Sequence, residues 1–320
     1  MLRKYALFIG VAALGALVTS CGDDDTGTPT PTPSGTATPT PTPSQSQVEF
    51  DLTQAFTAQS TNANTIAAFF TPNAGGEETF NAASRVNGNA QVALAFSPES
   101  VNFFFPDRTD AVTFSGSDFV GVSGTERTYA RGDEKLALEL PFEHTLRVQY
   151  EEQLAFTRNT VAGTLRPVRT ALFFNPVTTT SAIDTDLAYD GSVYVAGGDP
   201  GVTESGTISA DDITFTINEA DDSVSGTIDI LETVNGTTQT VATLVFQRTV
   251  DSSNSVTGGV VGTNNTFSGI LTDTTNKFEG NFAGSLSGPN REEIFLLFSI
   301  SGNENTDDDR RFVGSFIGKR

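Results

Sequence analysis

The second half of the chain alternates apolar and polar residues with a period of two. In residues 278–286, Phe278 and Phe282 fall on one side, and Glu279 and Asn281 fall on the other. Successive side chains of a β-strand point to opposite faces, so each such segment predicts a strand with one buried and one solvated face. The segments that follow this rule are residues 187–195, 213–217, 224–230, 240–247, 267–271, 278–286, 294–300 and 312–318.

Short turn sequences separate these segments, and Asn235-Gly236 is the clearest of them. A type I′ hairpin needs positive φ at both central positions, which Asn and Gly tolerate. Strands joined in sequence by short hairpins close into an antiparallel up-and-down β-barrel, here of about eight strands. The repeated Phe-x-Gly-x-Phe pattern supports closure, because a narrow interior packs large rings beside positions without a side chain. The sequence therefore predicts a β-barrel domain over residues 181–320.

The region before the barrel is also β-rich, but its pattern is irregular. It contains no convincing amphipathic helix, and the chain as a whole has 30 Gly and 14 Pro, which suits a turn-rich all-β protein. The run NPVTTTS at 175–181 separates the two halves, so we predict an irregular β-rich domain over residues 47–180. Its best strand candidates are residues 92–96, 101–105, 136–140, 145–150, 153–157 and 170–174.

The N-terminus has the layout of a secretory signal peptide over residues 1–20. A basic start precedes an apolar stretch at 5–18, which is too short to span a bilayer. The four residues that follow resemble the bacterial lipobox: Val18, Thr19, Ser20 and Cys21. Cys21 is the only cysteine of the chain, so we predict its acylation and a membrane anchor. The alternative is a plain signal peptide that ends beside an accidental cysteine.

A Thr/Pro-rich segment follows the predicted anchor, and the two together occupy residues 21–46. The segment contains TPTPTPS twice, and alternating Pro favours extended polyproline II, so it predicts a disordered tether that reaches up to roughly 65 Å. Acyl chains hold a protein on a bilayer by burying CH₂ groups, each worth about 0.8 kcal/mol. By resemblance to Gram-negative lipoproteins, Gly22 favours the bacterial outer membrane, on the cell surface or on the periplasmic face.

The order of lipobox, tether, irregular β domain and barrel resembles the transferrin-binding protein B family of bacterial surface lipoproteins. The resemblance covers about residues 85–320, one lobe rather than two, and it implies a handle domain at 47–180 before the barrel at 181–320. The segments that carry it are GNFAGSLSGPNREEIFLLFSI at 280–300, FVGSF at 312–316, YDGSVY at 189–194, RTY at 127–129 and residues 136–141.

A Gly-Pro turn with two acids marks the end of the family's barrel. The matching positions are Gly288, Pro289, Glu292 and Glu293. Two departures occur, Arg291 in place of a small residue and Phe295-Leu296 in place of glycines. The motif implies a scaffold and no particular ligand, because the family's binding surfaces lie on variable loops.

Composition excludes several functions. Acidic residues outnumber basic ones by 39 to 18, a net charge of −21, so nucleic acid is a poor partner because phosphate binding needs a basic face. One cysteine and one histidine, His144, exclude thiolate cages and multi-histidine metal sites. No Gly-x-Ser-x-Gly elbow accompanies His144, so we expect no enzyme, cofactor or metal. The alternatives are haem ligation by His144 and a carboxylate-dependent hydrolase.

The anchor, the tether and the resemblance together predict a monomeric, non-catalytic binding module. Its expected partner is a protein or a small solute such as an iron source, and the alternative is a structural envelope lipoprotein without a ligand. A basic cluster in this acidic chain is the candidate for partner binding: Arg147, Arg158, Arg166 and Arg169. The competing interpretation is that these arginines pair with nearby acids: Glu143, Glu151 and Glu152.

Runs of phenylalanine occur at residues 69–70, 103–105 and 173–174. Neighbouring residues of a strand face opposite sides, so each run puts a ring away from the core of a single sheet. We expect these rings to be buried between two sheets or between handle and barrel. The alternative is an exposed apolar patch for a protein partner.

Replacing Cys21 with Ala is expected to abolish lipid attachment, because the thiol is the acceptor of the diacyl group. Cells that express Cys21→Ala and are fed radiolabelled palmitate should yield uncleaved or unacylated protein without label. Labelling equal to that of the wild-type chain would contradict the predicted anchor.

Overall fold

Antiparallel strands make up nearly all of the regular structure. The computed structural model describes residues 49–202, 206–246, 259, 261–302 and 309–320. Over these ranges it contains 21 strands and one 3-10 turn, Gly116–Asp118. The predicted all-β class is confirmed. The predicted signal peptide, lipobox and tether lie outside the described residues. Among the described residues, no helix is long and apolar enough to cross a membrane.

Twelve strands form the part that we call the handle. They are β1 Phe56–Thr61, β2 Asn64–Pro72, β3 Thr79–Arg85, β4 Asn89–Phe96, β5 Glu99–Phe104, β6 Val112–Ser115, β7 Phe119–Ser123, β8 Glu126–Arg131, β9 Glu134–Glu139, β10 Thr145–Glu151, β11 Leu154–Arg158 and β12 Val161–Phe174. The six strand candidates of this region are confirmed. The other six strands escaped prediction because their short sequences mix Ala, Asn, Thr and Ser without sustained alternation.

Two sheets face each other in the handle. The smaller has the order β1-β4-β5-β6, and the larger has the order β3-β2-β12-β10-β9-β8-β7 with β11 paired to β12. Fully buried rings fill the space between them, and Phe103 and Phe114 lie 6.2 and 6.5 Å from the ring of Tyr150. Truncating one such ring costs about 3–5 kcal/mol, so this core is a main source of the handle's stability.

Nine strands form the part that we call the barrel. They are β13 Leu187–Gly198, β14 Thr207–Ala210, β15 Ile213–Ile217, β16 Val224–Val234, β17 Thr237–Phe246, β18 Thr266–Asp273, β19 Phe278–Ser287, β20 Glu293–Gly302 and β21 Arg311–Lys319. The eight predicted segments are confirmed, and β14 is an additional short strand beside β16. The turn between β16 and β17 has positive φ at Asn235 and Gly236, 50° and 80°, as a type I′ hairpin requires.

The barrel closes between the pair β16–β17 and strand β18. The remaining pairings run β16-β15-β13-β21-β20-β19-β18. Gly259 lies at the closure, where its carbonyl accepts the N–H of Val224 at 2.7 Å and its N–H donates to the carbonyl of Ser268 at 2.6 Å. The carboxylate of Asp273 accepts the N–H of Thr243 at 2.7 Å and links β18 to β17. Closure satisfies backbone groups that an open sheet would leave exposed at its edges.

Phenylalanine rings fill the barrel interior. Phe215 lies 4.7 Å from Phe316 and 5.1 Å from Phe246, measured between ring centroids. Gly314 faces the ring of Phe298, and a Cβ at position 314 would overlap Cζ of that ring. The predicted pairing of large rings with glycines is therefore present, because the interior has no room for a side chain at these positions.

Strands β20 and β21 are buried on both faces because the handle packs on their outer side. Phe295 of β20 lies 4.9 Å from Phe174 of β12, and Leu297 and Leu172 belong to the same cluster. Val313 of β21 packs into a second cluster with β2 and β3. Phe69 and Phe174 thus pack between handle and barrel, and Phe173 lies between the two handle sheets, as expected. Phe70 is buried against Phe156 of β11 instead. Residues 103 and 105 lie in the handle core.

Replacing Asp273 with Ala is expected to destabilise the barrel by about 1–3 kcal/mol, because three backbone N–H groups lose their acceptor. Burial alone would raise the pKa of Asp273, but N–H donors from Asn276, Thr243 and Thr275 outweigh burial and lower the pKa. A carboxyl with a lowered pKa stabilises the fold above its unfolded-state pKa, and this contribution disappears as the pH falls through the folded-state value.

Guanidinium unfolding followed by circular dichroism at neutral and acidic pH measures this effect. Asp229→Ala is the control, because within the described ranges Asp229 accepts only the exposed hydroxyl of Thr243. Its loss should change stability by less than about 0.5 kcal/mol. Equal stabilities of the two variants would contradict the role of Asp273 in closure.

Candidate functional site

The Gly-Pro motif lies where the barrel meets the handle. Ser287, which ends β19, donates its hydroxyl to the carbonyl of His144 at 2.8 Å. The N–H of Gly288 donates to the carbonyl of Asn175 at 3.0 Å, and the carbonyl of Pro289 accepts from the N–H groups of residues 178 and 179. We call these contacts the junction. The motif residues therefore connect the turn between β19 and β20 to the handle.

Glu293 is the buried acid of the junction. Its Oε1 accepts the N–H of His144 at 2.8 Å, and its Oε2 is buried without a partner among the described residues. Burial raises the pKa of Glu293, and the hydrogen bond from His144 offsets only part of that rise. Glu292 differs, because burial is outweighed by hydrogen bonds from Asn290, which lower the pKa of Glu292. The two adjacent acids of the motif thus have opposite environments.

His144 is buried within the junction. Its Nδ1 lies 3.4 Å from Oδ1 of Asn175. The nearby Ser287 hydroxyl donates to the His144 carbonyl and to the Asn175 carbonyl, not to the imidazole. Among the described residues, no group of three or more His, Cys, Asp or Glu side chains could hold a metal ion. The arrangement therefore joins handle and barrel through buried polar contacts and supplies no nucleophile with its base.

The four arginines lie on two opposite faces of the larger handle sheet. Arg147 and Arg166 face the barrel, where they pack over the rings of Tyr194 and Phe69 at 5.9 and 4.7 Å. Arg169 faces the handle core. Arg158 shares that face of the sheet and donates to the carbonyl of Phe80 at 3.3 Å. Alternate strand positions separate the side chains, so the four arginines do not share one face of the sheet. A partner-binding role for individual arginines stays a prediction.

Most of these arginines are paired with acids. Arg166 pairs with Glu78 at 2.7 Å and with Glu151 at 3.2 Å, and Arg147 pairs with Glu139. Arg169 pairs with Glu152 at 2.7 Å. Two of the three acids named in the competing interpretation, Glu151 and Glu152, are therefore partners.

A buried network around Arg169 escaped prediction. Glu152 also pairs with Arg108, and Arg169 pairs with Asp107 at 2.8 Å. The hydroxyl of Tyr150 donates to Glu134 at 2.6 Å, and burial together with the two nearby carboxylates raises the pKa of Tyr150 above its ordinary value. These groups lie up to 62 residues apart in the chain, so no local pattern could reveal their contact. The network closes one end of the handle core.

The hairpin of β11 and β12 presents an exposed apolar face. Leu154, Phe156 and Val161 are 40%, 38% and 45% exposed, and Phe156 packs edge-on against Phe70 at 6.1 Å. By register these residues share the face of β12 that carries Ala171 and Phe173 in the handle core. The Arg169 network lies on the same face between the handle core and these residues, so the exposed apolar face is separate from the core.

The outer edge of β11 is unpaired among the described residues. The turn at Asn159 and Thr160 has positive φ at both positions, 46° and 72°, so the hairpin has a two-residue loop. In such a hairpin, residue pairs that exchange backbone hydrogen bonds alternate with pairs that do not, starting with a bonded pair at the loop. Ala155 and Thr157 belong to pairs of the second kind, so their N–H and C=O groups point away from β12. The hairpin therefore offers both apolar side chains and free backbone groups.

The fold and these sites define an all-β protein made of a two-sheet handle and a closed barrel. No family model matches the chain, and no curated protein matches it. The chain is similar to the crystal structure of isotype 1 transferrin binding protein B from serogroup B Neisseria meningitidis, with 14% identity and a TM-score of 0.41. That alignment covers 80% of this chain and 43% of the other, so the chain spans less than half of that structure.

Two further solved structures are similar to the chain. A double mutant of transferrin binding protein B from Haemophilus parasuis Hp5 has 10% identity and a TM-score of 0.35, with 85% of this chain and 76% of the other covered. A protein of unknown function from the DUF3598 family of Nostoc punctiforme has 10% identity and a TM-score of 0.28, with 82% and 95% covered. Transferrin binding protein B is the family that the sequence resembles.

Replacing Gly288 with Ala is expected to loosen the junction. Gly288 has φ of +82°, and a Cβ there would lie 2.5 Å from both Oε2 of Glu292 and Cδ2 of His144. Strain and clash together should lower stability by about 1–3 kcal/mol, measured by thermal unfolding. Gly236→Ala is the matched control, because Gly236 has φ of +80° and no atom lies within 4 Å of the position that the alanine methyl would take. A loss no larger than that of the control would refute the junction clash.

Glu293→Gln is expected to be more stable than the wild-type chain at neutral pH, and this gain should shrink at acidic pH. A carboxyl with a raised pKa makes the folded state bind more protons, so stability falls as the pH rises from the unfolded-state pKa toward the folded-state value. The amide removes this loss and keeps an acceptor for the N–H of His144. Glu292→Gln should show the opposite trend, since its pKa is lowered. Melting temperatures of both variants from about pH 4 to 8 test the difference, and parallel pH profiles would contradict it.

Proposed function

We propose that this protein is a non-catalytic, lipid-anchored binding protein of the bacterial outer membrane that captures a protein partner along the β11–β12 hairpin. Acylated Cys21 is the anchor, residues 21–46 are the tether, and residues 47–180 and 181–320 are the handle and barrel domains. The observation that carries the proposal is the exposed apolar face of Leu154, Phe156 and Val161 beside an unpaired strand edge.

The hairpin lacks the devices that usually protect a sheet edge. Proteins blunt exposed edges with charged residues, proline or bulges. Strand β11 has no proline, its one charged residue is Arg158 at its end, and it pairs with β12 without a register shift. Another edge strand of the same sheet, β7, has a bulge between Phe119 and Gly121 that interrupts its ladder. The β11 edge is therefore the better template for an added strand.

The proposed partner contributes an extended segment that adds to β11. Main-chain hydrogen bonds to Ala155 and Thr157 would give affinity, and alternate apolar side chains would cover Leu154 and Phe156. Those side chains would cover an apolar face that lies beyond the Arg169 network, next to the handle core. Burial of apolar surface at about 25 cal/mol per Å² supplies the driving force.

Affinity capture with the full chain tests the proposal. The bait is incubated with growth medium and host extract, in parallel with Leu154→Lys/Val161→Lys, which places charges on the apolar face. The control is Val120→Lys/Val122→Lys on β7, whose side chains are 66% and 57% exposed. A partner held by strand addition should be lost with the hairpin variant, retained with the control, and crosslinked by Thr157→p-benzoylphenylalanine.

A partner retained equally by the hairpin variant, or lost only with the β7 control, would overturn the hairpin site. Absence of any saturable partner for the wild-type chain would favour the alternative, a structural envelope lipoprotein. Circular dichroism of each variant verifies that the fold is kept.

A further inference from the structure

A cavity of about 670 Å³ lies at the seam between handle and barrel, away from the hairpin. One side comes from the end of β1 and the loop after it, and the other comes from β18 and β19. Ligand sites in proteins typically have volumes of about 300–1,000 Å³ and lie where two domains meet. The size and the position of this cavity are those of a small-molecule site.

The lining of this cavity contains no charged side chain among the described residues, although the chain has a net charge of −21. Its polar members are amides and hydroxyls, among them Gln59, Asn62 and Ser268. A charged ligand bound in this open cavity would find no counter-charge in the described lining. The lining therefore selects for an uncharged ligand.

Three of these polar side chains are free to bind a ligand. Those of Gln59, Asn62 and Ser268 have no hydrogen-bond partner within the described parts of the chain. Asn62 is held in the left-handed region, with φ of 60°, and its carbonyl accepts from Arg85 at 3.4 Å. An amide offers two donors and an acceptor, and a hydroxyl offers both roles. Ligand hydroxyl groups, which also donate and accept, match this set.

An aromatic surface completes the lining. Phe174 is partly exposed, and its ring is supported by the buried ring of Phe295 at 4.9 Å. The face of an aromatic ring attracts the C–H groups that line one side of a sugar ring. Amide and hydroxyl groups beside a supported aromatic ring form the chemistry that recognises a pyranose.

We propose that the seam cavity binds a neutral saccharide, held by Gln59, Asn62 and Ser268 and packed against Phe174. This site is independent of the protein partner at the hairpin. A saccharide bound here would contact both handle and barrel, so it would also stabilise their association.

Calorimetric titration of the full chain, in a detergent without a sugar headgroup, tests the proposal. The probes are maltotriose, cellotriose, xylotriose and triacetylchitotriose, each to about 10 mM, a range that detects millimolar dissociation constants. At least one neutral probe should bind saturably and raise the melting temperature. Trigalacturonic acid should bind at least about tenfold more weakly than the neutral probe, because no cation is found in the described lining of the cavity.

Two variants locate the binding. Gln59→Ala/Asn62→Gly should weaken the bound probe by at least about tenfold, and glycine at 62 keeps the positive φ without strain. Ser268→Trp should block the cavity. The matched control is Gln239→Ala/Asn235→Gly, because Gln239 is exposed on β17 and Asn235 has φ of 50° in the adjoining turn, away from the cavity.

Failure of every neutral probe to bind would overturn the proposal. So would equal binding of trigalacturonic acid, or affinity retained in both cavity variants. Loss of affinity in the control variant would also reject the seam as the site. Protein capture at the hairpin is unaffected by any of these results, so the two proposals fail separately.

Discussion

Burial of the last hairpin on both faces is the constraint on which the rest of this structure depends. Phe298 and Phe316 point into the barrel, while Phe295 and Ile317 point toward the handle. A shift of one residue in the pairing of β20 and β21 would exchange the two sets and put the wrong side chains in both cores. Packing against the barrel core and packing against the handle therefore both fix the register of this hairpin.

This fixed register explains why the polar groups of the junction meet. Ser287 ends β19 and Glu293 begins β20, so the pairing of those strands sets their positions against His144. Buried polar atoms are costly without partners, and contacts separated by 149 residues form only when handle and barrel take one relative position. The Gly-Pro and acid motif is thus accounted for by the contacts between handle and barrel.

The sequence predicts the barrel better than the handle for a physical reason. Barrel strands such as β19 have one face in the core and one in water, so Phe278 and Glu279 alternate visibly. In the handle, β12 is buried on both faces from Pro167 to Phe173, and the alternation disappears. Alternation also separates Arg166 from Arg169, although a linear inspection groups them as one cluster. Contacts such as Arg169 with Asp107 depend on topology, which a local pattern does not contain.

Both proposed binding regions lie where one strand extends past the element that packs against it or stops short of it. Strand β12 has 14 residues, and only its second half lies under the smaller sheet, so its first half carries β11 beyond the covered core. At the seam, Phe174 and Phe295 pack closely, but the end of β1 and strand β18 do not meet, and a cavity is left between them. In the surfaces that hold handle and barrel together, the side chains are closely packed and already have partners within the protein. We therefore expect binding where this packing ends. The chemistry differs between the two places, because the hairpin presents apolar side chains and the seam presents amides and hydroxyls.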